Sequence, residues 1–278
     1  YPLSAVIIFT VAIGLGIYIK RKYDLDWRLY FIGAILFVFS QVLHIPFNLL
    51  LSRVFTFENW HPVSIALLLG LSAGLFEELV RYGGLRWWAK DARRWAQGLL
   101  FGSGWGGVEA ILVGGLLVLT YINMIILSTR EISSLVPPEQ LATVQETVNA
   151  YWSVDWYLSM LGAVERILTI PIQSALTILV LQVFIRGQFR WLLFAILWHT
   201  LVDAAVVYAI RLVGPIATEG ILALFTIASL GMIFALRGKE PDDETEEDDV
   251  GGDIHTGDAD LPPIEETEEN IDQTRFTD

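Results

Sequence analysis

The chain has 278 residues, 54% of them hydrophobic, with a mean hydropathy of +0.53, and the apolar residues run in long blocks. That pattern excludes an ordinary soluble core and points to a polytopic membrane protein. A formal charge of -13 with no cysteine excludes disulfides and thiol catalysis and gives no reason to expect a nucleic-acid partner.

A bilayer core of roughly 30 Å needs about 20 mostly apolar residues per helix. Candidate spans fall near 3–19, 29–51, 62–80, 96–127, 155–185, 190–213 and 215–236, so the expected fold is an all-α bundle of about seven transmembrane helices. The opening run "LSAVIIFTVAIGLGIYIKRKY" carries its positive charges after the apolar stretch and shows no small-residue cleavage site, so it reads as the first membrane helix. Between the fourth and fifth spans lies the long polar connection 128–154, where Pro137-Pro138-Glu139 can start a short helix and Tyr151, Trp152 and Trp156 form an aromatic belt. Pro46 and Pro171 mark kinks, and no repeat of fixed period is present. Residues 240–278 hold 17 of the 31 acids and one of the 18 basic residues, leaving 14 acids against 17 bases before them. The expected division is a helical bundle over 1–237 and a disordered acidic tail over 238–278.

Lys20, Arg21, Lys22 and Arg28, then Arg86, Lys90, Arg93 and Arg94, then Arg186 and Arg190, and finally Arg237 and Lys239 all follow alternate spans. By the positive-inside rule those ends are cytoplasmic. The expectation is an integral protein of a prokaryotic plasma membrane, with its N-terminus outside and its tail in the cytoplasm.

Ionisable side chains at the bilayer centre cost about 2.5–3.5 kcal/mol on insertion scales, so they usually face a protein interior and serve function. Here they are His44, Glu77, Glu78, Arg81, Glu109, Glu165, Arg166, His199 and Asp203. In "EELVR", Arg81 lies three and four residues from Glu78 and Glu77, within reach of either, so one carboxylate can be neutralised while the other is free to act as a base. Two like carboxylates in a low dielectric do not both ionise cheaply, which suits one of them to general-base work on water. His199 and Asp203, four apart in "HTLVD", set an imidazole beside a carboxylate that can choose its tautomer. The bland alternative is that Glu78 with Arg81, and Glu165 with Arg166, only brace helices.

Gly102, Gly104 and Gly107 spell a formal G-x-G-x-x-G, yet they sit inside an apolar helix without the strand that a dinucleotide site needs. Close helix packing through Gly102 and Gly106 explains them better.

At these residues the chain resembles the YhfC-type membrane proteins, related to the CAAX-processing and bacteriocin-processing (CPBP) intramembrane proteases. The likeness rests on "EELVR", on "GGVEAIL" with Glu109, on "ERIL" with Glu165 and on "HTLVD", and runs from about Gln41 to Asp203. It departs from the related pattern at "FGSGW", where Phe101 matches and Trp105 stands in place of a histidine. The resemblance implies an intramembrane endopeptidase of glutamic type acting on a membrane-associated peptide or protein. Glu77 would be the base, Glu78 and Arg81 would fix its charge, and His199 with Asp203 would stabilise the oxyanion. Trp105 can do none of the missing histidine's work, because indole only donates, so activity is expected to be weakened or lost; the alternative is that His44 or Glu109 replaces the missing group. No cofactor is required on this reading. Zinc could be held by His199, Asp203 and Glu77 but is not favoured, since H-E-x-x-H is missing. The alternative is a non-catalytic membrane protein, either a degenerate protease that binds partners or a proton-linked carrier. A serine mechanism from Ser103 with His199 ranks third.

Overall fold

The computed structural model describes residues 1–238, and the expected acidic tail lies outside them from residue 239 on. Seven helices are long and apolar enough to cross a membrane. They are α1 (Pro2–Lys22), α2 (Arg28–Val54), α3 (Pro62–Gly83), α4 (Trp95–Thr129), α6 (Leu158–Arg186), α7 (Arg190–Leu212) and α8 (Gly214–Ala235). The shorter α5 (Leu141–Ser153) lies in the long polar connection, behind a 3-10 turn at Pro138–Gln140. No strand occurs among the described residues.

Local chemistry sets several ends. Pro2, Pro62 and Pro215 occupy first-turn positions, where a missing N–H costs nothing. Gly187, at φ +66°, closes α6 in the left-handed conformation that favours glycine, and α7 begins three residues later. Past Gly83, α3 widens into a π-helical turn, Gly84–Trp88. Arg93 then covers the Leu85, Ala89 and Ala92 carbonyls at 3.2, 3.3 and 2.7 Å.

α6 is central. From Ile172 to Val183 every residue is buried, so its apolar pattern has no stripe. Outer faces of the bundle present Leu50, Leu67, Leu116, Leu193 and Ile227, as lipid contact demands. Lipid tails are as apolar as leucine, so helix association rests on close packing by small residues. Gly102 and Gly106 face α6 as expected, a Cβ on Gly102 lying 2.7 Å from Ser174 Cα. Gly70 and Gly74 do the same for α3 against α7, with Cβ positions 2.6 Å from Thr200 O and 2.9 Å from Ile196 O.

The tightest approach is at Gly104, where a Cβ would stand 2.0 Å from the Tyr30 carbonyl oxygen of α2. Gly104→Ala is therefore expected to force α2 from α4 at a cost of ~1–3 kcal/mol. Gly115→Ala is the control on the same helix. Nothing lies within 4 Å of it, and alanine gains about 1 kcal/mol of helix propensity. Thermal unfolding in detergent should show a lower melting temperature for the first variant and an unchanged or higher one for the second.

Aromatic residues gather where α1 begins and α4 ends. Tyr1 stacks on Tyr151 at 4.5 Å between ring centroids, and Trp152 donates to Ser128 Oγ at 2.6 Å. Of the three residues expected to form a belt, Tyr151 and Trp152 join this aromatic cluster and Trp156 stands 79% exposed.

Candidate active site

Glu77, Glu78 and Arg81 lie on the inner face of α3, buried to 6, 0 and 0% exposure. The bundle resolves which carboxylate Arg81 takes. Its Nη1 donates to both Glu78 oxygens at 2.7 Å, and its Nη2 donates to Gln173 Oε1 on α6. The guanidinium also lies over the Trp105 ring, 4.2 Å from the centroid, a cation–π contact worth ~2 kcal/mol when desolvated.

His199, on α7, completes the Glu78 pair. Its Nδ1 stands 2.7 Å from Glu78 Oε1, and its Nε2 faces Asp203 Oδ2 at 3.5 Å. The Asp203 side chain is 38% exposed, so the buried pair opens toward the surface at that residue.

Among the described residues no cation is in hydrogen-bond contact with Glu77. It accepts from the Gln41 amide at 3.0 Å, from the Trp105 indole at 3.1 Å and, more weakly, from the Gln173 amide at 3.4 Å. His199 and Glu77 stand within electrostatic reach of each other. Trp105 thus meets Glu77 as a donor, as indole must.

The two residues expected to substitute for the missing histidine make no direct hydrogen bond to Glu77, although Glu109 lies within electrostatic reach of it and His44 within reach of His199 and Asp203. Glu109 pairs with Arg166 at 2.7 Å and accepts from Gln173 Nε2 at 2.9 Å, so it meets Glu77 only through that amide. The four-residue spacing puts Glu109 on the Trp105 face, and one turn along α4 its direct ion-pair partner is Arg166 of α6. Arg166 also pairs with Glu165, as the sequence suggested. His44 lies with Ser72 at 3.0 Å and Asn48 at 2.9 Å, between α2 and α3. Ser103 Oγ donates to the Leu100 carbonyl at 2.8 Å and makes no hydrogen bond to His199, so the geometry lends the serine mechanism no support.

Sequence reading passed over three participants. Gln41 and Gln173 are uncharged and drew no attention, although an amide in an apolar span needs a partner as surely as an acid does. Glu219, on α8, shares the field of Glu165 and Arg166 and holds a buried Oε2 without a hydrogen bond. An acid four residues after Pro215, at the start of the last span, was the available signal.

A family model described as YhfC intramembrane metalloprotease matches residues 7–226. The chain is also 35% identical, over 251 residues, to "Uncharacterized membrane protein YhfC" of Bacillus subtilis (strain 168), which covers 85% of this chain and 94% of that protein. No solved structure matches. With seven apolar spans, a buried Glu-Glu-Arg cluster and a match over most of its length, this chain is an integral membrane protein and belongs to the YhfC family.

Proposed function

We propose that the chain is an intramembrane endopeptidase of glutamic type, in which Glu77 draws a proton from water and His199 stabilises the oxyanion formed at a peptide carbonyl. What supports this reading is the division of labour between adjacent carboxylates. Glu78 is neutralised by Arg81 and His199, whereas Glu77 meets N–H donors alone. Its three donors occupy three of roughly four lone-pair sites, leaving a place for a water molecule. The proton that Glu77 takes from water passes to the departing amine, so no net proton is consumed.

His199 has its Nδ1 fixed by Glu78 and its Nε2 turned toward Asp203. When the ring is protonated, Nδ1–H stays on Glu78 and fixes the imidazole, while Nε2–H, only loosely engaged by Asp203 at 3.5 Å, turns from that carboxylate to donate to the tetrahedral oxyanion. The substrate class is a peptide or protein segment lying in or on the bilayer. Arg81 lies near the basic end of α3, so by the positive-inside rule cleavage falls near the cytoplasmic face and the N-terminus lies outside.

The family's description implies a metal. Zinc takes imidazole nitrogen and carboxylate oxygen, and His199 with Asp203 supplies both, with Glu78 on the other ring nitrogen as carboxylates support metal-bound imidazoles. No third His, Asp or Glu among the described residues is arranged to join them. An ion there would be held by His199 and Asp203 and would polarise the peptide carbonyl as a Lewis acid. The steps above are carried by the chain's own residues.

Trp105 favours a second reading, a non-catalytic, partner-binding protein. The indole is fully buried, packs edge-on against Phe37 and fills the side of Glu77 where an acid–base partner would act. The test is cleavage of a membrane-anchored peptide panel by the full chain in proteoliposomes, read by mass spectrometry. On the peptidase reading the native protein cuts, His199→Ala abolishes cutting, and Trp105→His raises it within the ~10²–10⁴-fold range of a positioned acid–base group. Cleavage by Trp105→His alone would assign the native chain to the inert reading. No product from either protein would remove the peptidase altogether.

A further inference from the structure

Beside the buried cluster, on the outward side of α3, a groove of about 460 Å³ runs between α2 and α3 to the π-helical turn. Leu36, Phe39 and Leu43 line it from α2, Phe76 and Leu79 from α3, and Trp87 and Trp88 at its end. The cleft is nearly all hydrocarbon and aromatic ring, of a size that ligand pockets commonly reach. Two features mark one end as the membrane interface. Trp87 and Trp88 are 68 and 55% exposed, the placement that indoles take at headgroup level. Arg86 precedes them and Lys90 follows them, both exposed.

Among the described residues, carboxylates do not balance the charge at this end. Asp91 is the acid closest in sequence, and it is committed to Arg28, whose guanidinium holds its carboxyl below the usual carboxylate range. Arg93 is turned inward onto the Leu85, Ala89 and Ala92 carbonyls. Neither Arg86 nor Lys90 pairs with a carboxylate among the described residues. An apolar slot that ends in two interfacial indoles and two unpaired cations has the complement of one molecule type, an anionic amphiphile.

We propose that this groove binds an anionic membrane phospholipid, one hydrocarbon chain lying between α2 and α3 and the phosphate resting against Arg86 and Lys90. The site is separate from the peptidase reading and stands or falls without it. It touches the polar interior at Phe76, a groove wall that stacks on His44 at 5.4 Å between ring centroids. A bound chain therefore packs against the same turn of α3 that carries Glu77.

The experiment is native mass spectrometry of the detergent-purified full chain, titrated with phosphatidylglycerol and with phosphatidylcholine of identical chains. Each basic residue near a membrane surface contributes about 1 kcal/mol toward an anionic lipid, or roughly five-fold in affinity. The native chain should retain phosphatidylglycerol on the order of twenty- to thirty-fold more tightly, and the Arg86→Gln/Lys90→Gln variant should lose that preference. Leu79→Trp, at a position already 50% exposed and lining the groove, should weaken both lipids without disturbing the core. An unchanged melting temperature for each variant keeps the reading clear of misfolding. Equal retention of the two lipids by the native chain would overturn the phosphate contact, and undiminished retention by Leu79→Trp would overturn the groove as the chain's seat.

Discussion

Glu77→Gln is expected to lower peptide hydrolysis by ~10²–10⁴-fold, the loss typical of removing a positioned acid–base group, while leaving the protein folded. The carboxylate accepts from Gln41 at one oxygen and from Trp105 and Gln173 at the other. A side-chain amide of the same shape keeps one acceptor oxygen for the indole, which can only donate. Its new N–H₂ group then faces Gln41, whose amide can turn over and accept. The hydrogen-bond count is thus nearly conserved, and only basicity is lost. Side-by-side turnover in proteoliposomes and melting curves in detergent check both halves. Full activity in this variant would move the base elsewhere; loss of folding would show that the Glu77 charge itself supports the bundle.

Arg81→Met should do the reverse, striking stability first. Removing one partner of a buried ion pair leaves the other charge uncompensated, a loss of ~3–5 kcal/mol. Glu78 is fully buried and would retain only His199 as a partner. The Gln173 carbonyl would lose its donor, and Trp105 the cation over its ring. The paired change Glu78→Gln with Arg81→Met removes both charges and should recover part of the loss, because no carboxylate is then stranded. Unfolding midpoints of the two variants provide the measurement. A single variant as stable as the native chain would mean that Glu78 is not ionised in the fold, and the proposed assignment of charge would fail with it.

Sequence alone was enough for the spans and for the polar residues they carry. Runs of about 20 apolar residues have few ways to exist in water, and the proline, glycine and basic residues that bound them act within a turn or two. Pairs set by spacing on one helix were equally legible: Glu78 with Arg81 and His199 with Asp203 are three and four residues apart, and both occur. Even there the spacing left Arg81 a choice of two carboxylates.

What only the tertiary structure decided is which helix faces which, and at what depth and rotation. Those variables depend on backbone approaches such as Gly104 to Tyr30 and Gly74 to Ile196, formed between residues distant in the chain. Once these contacts rotate α3 and α6 into place, Arg81 goes to Glu78, Gln173 bridges Glu77 to Glu109, and Arg166 pairs with Glu109. A helix's own spacing fixes neighbours along its surface to within a few ångströms, but a partner on another helix changes with every 100° step between successive residues. For that reason the chemistry could be read in the chain, and its pairing could not.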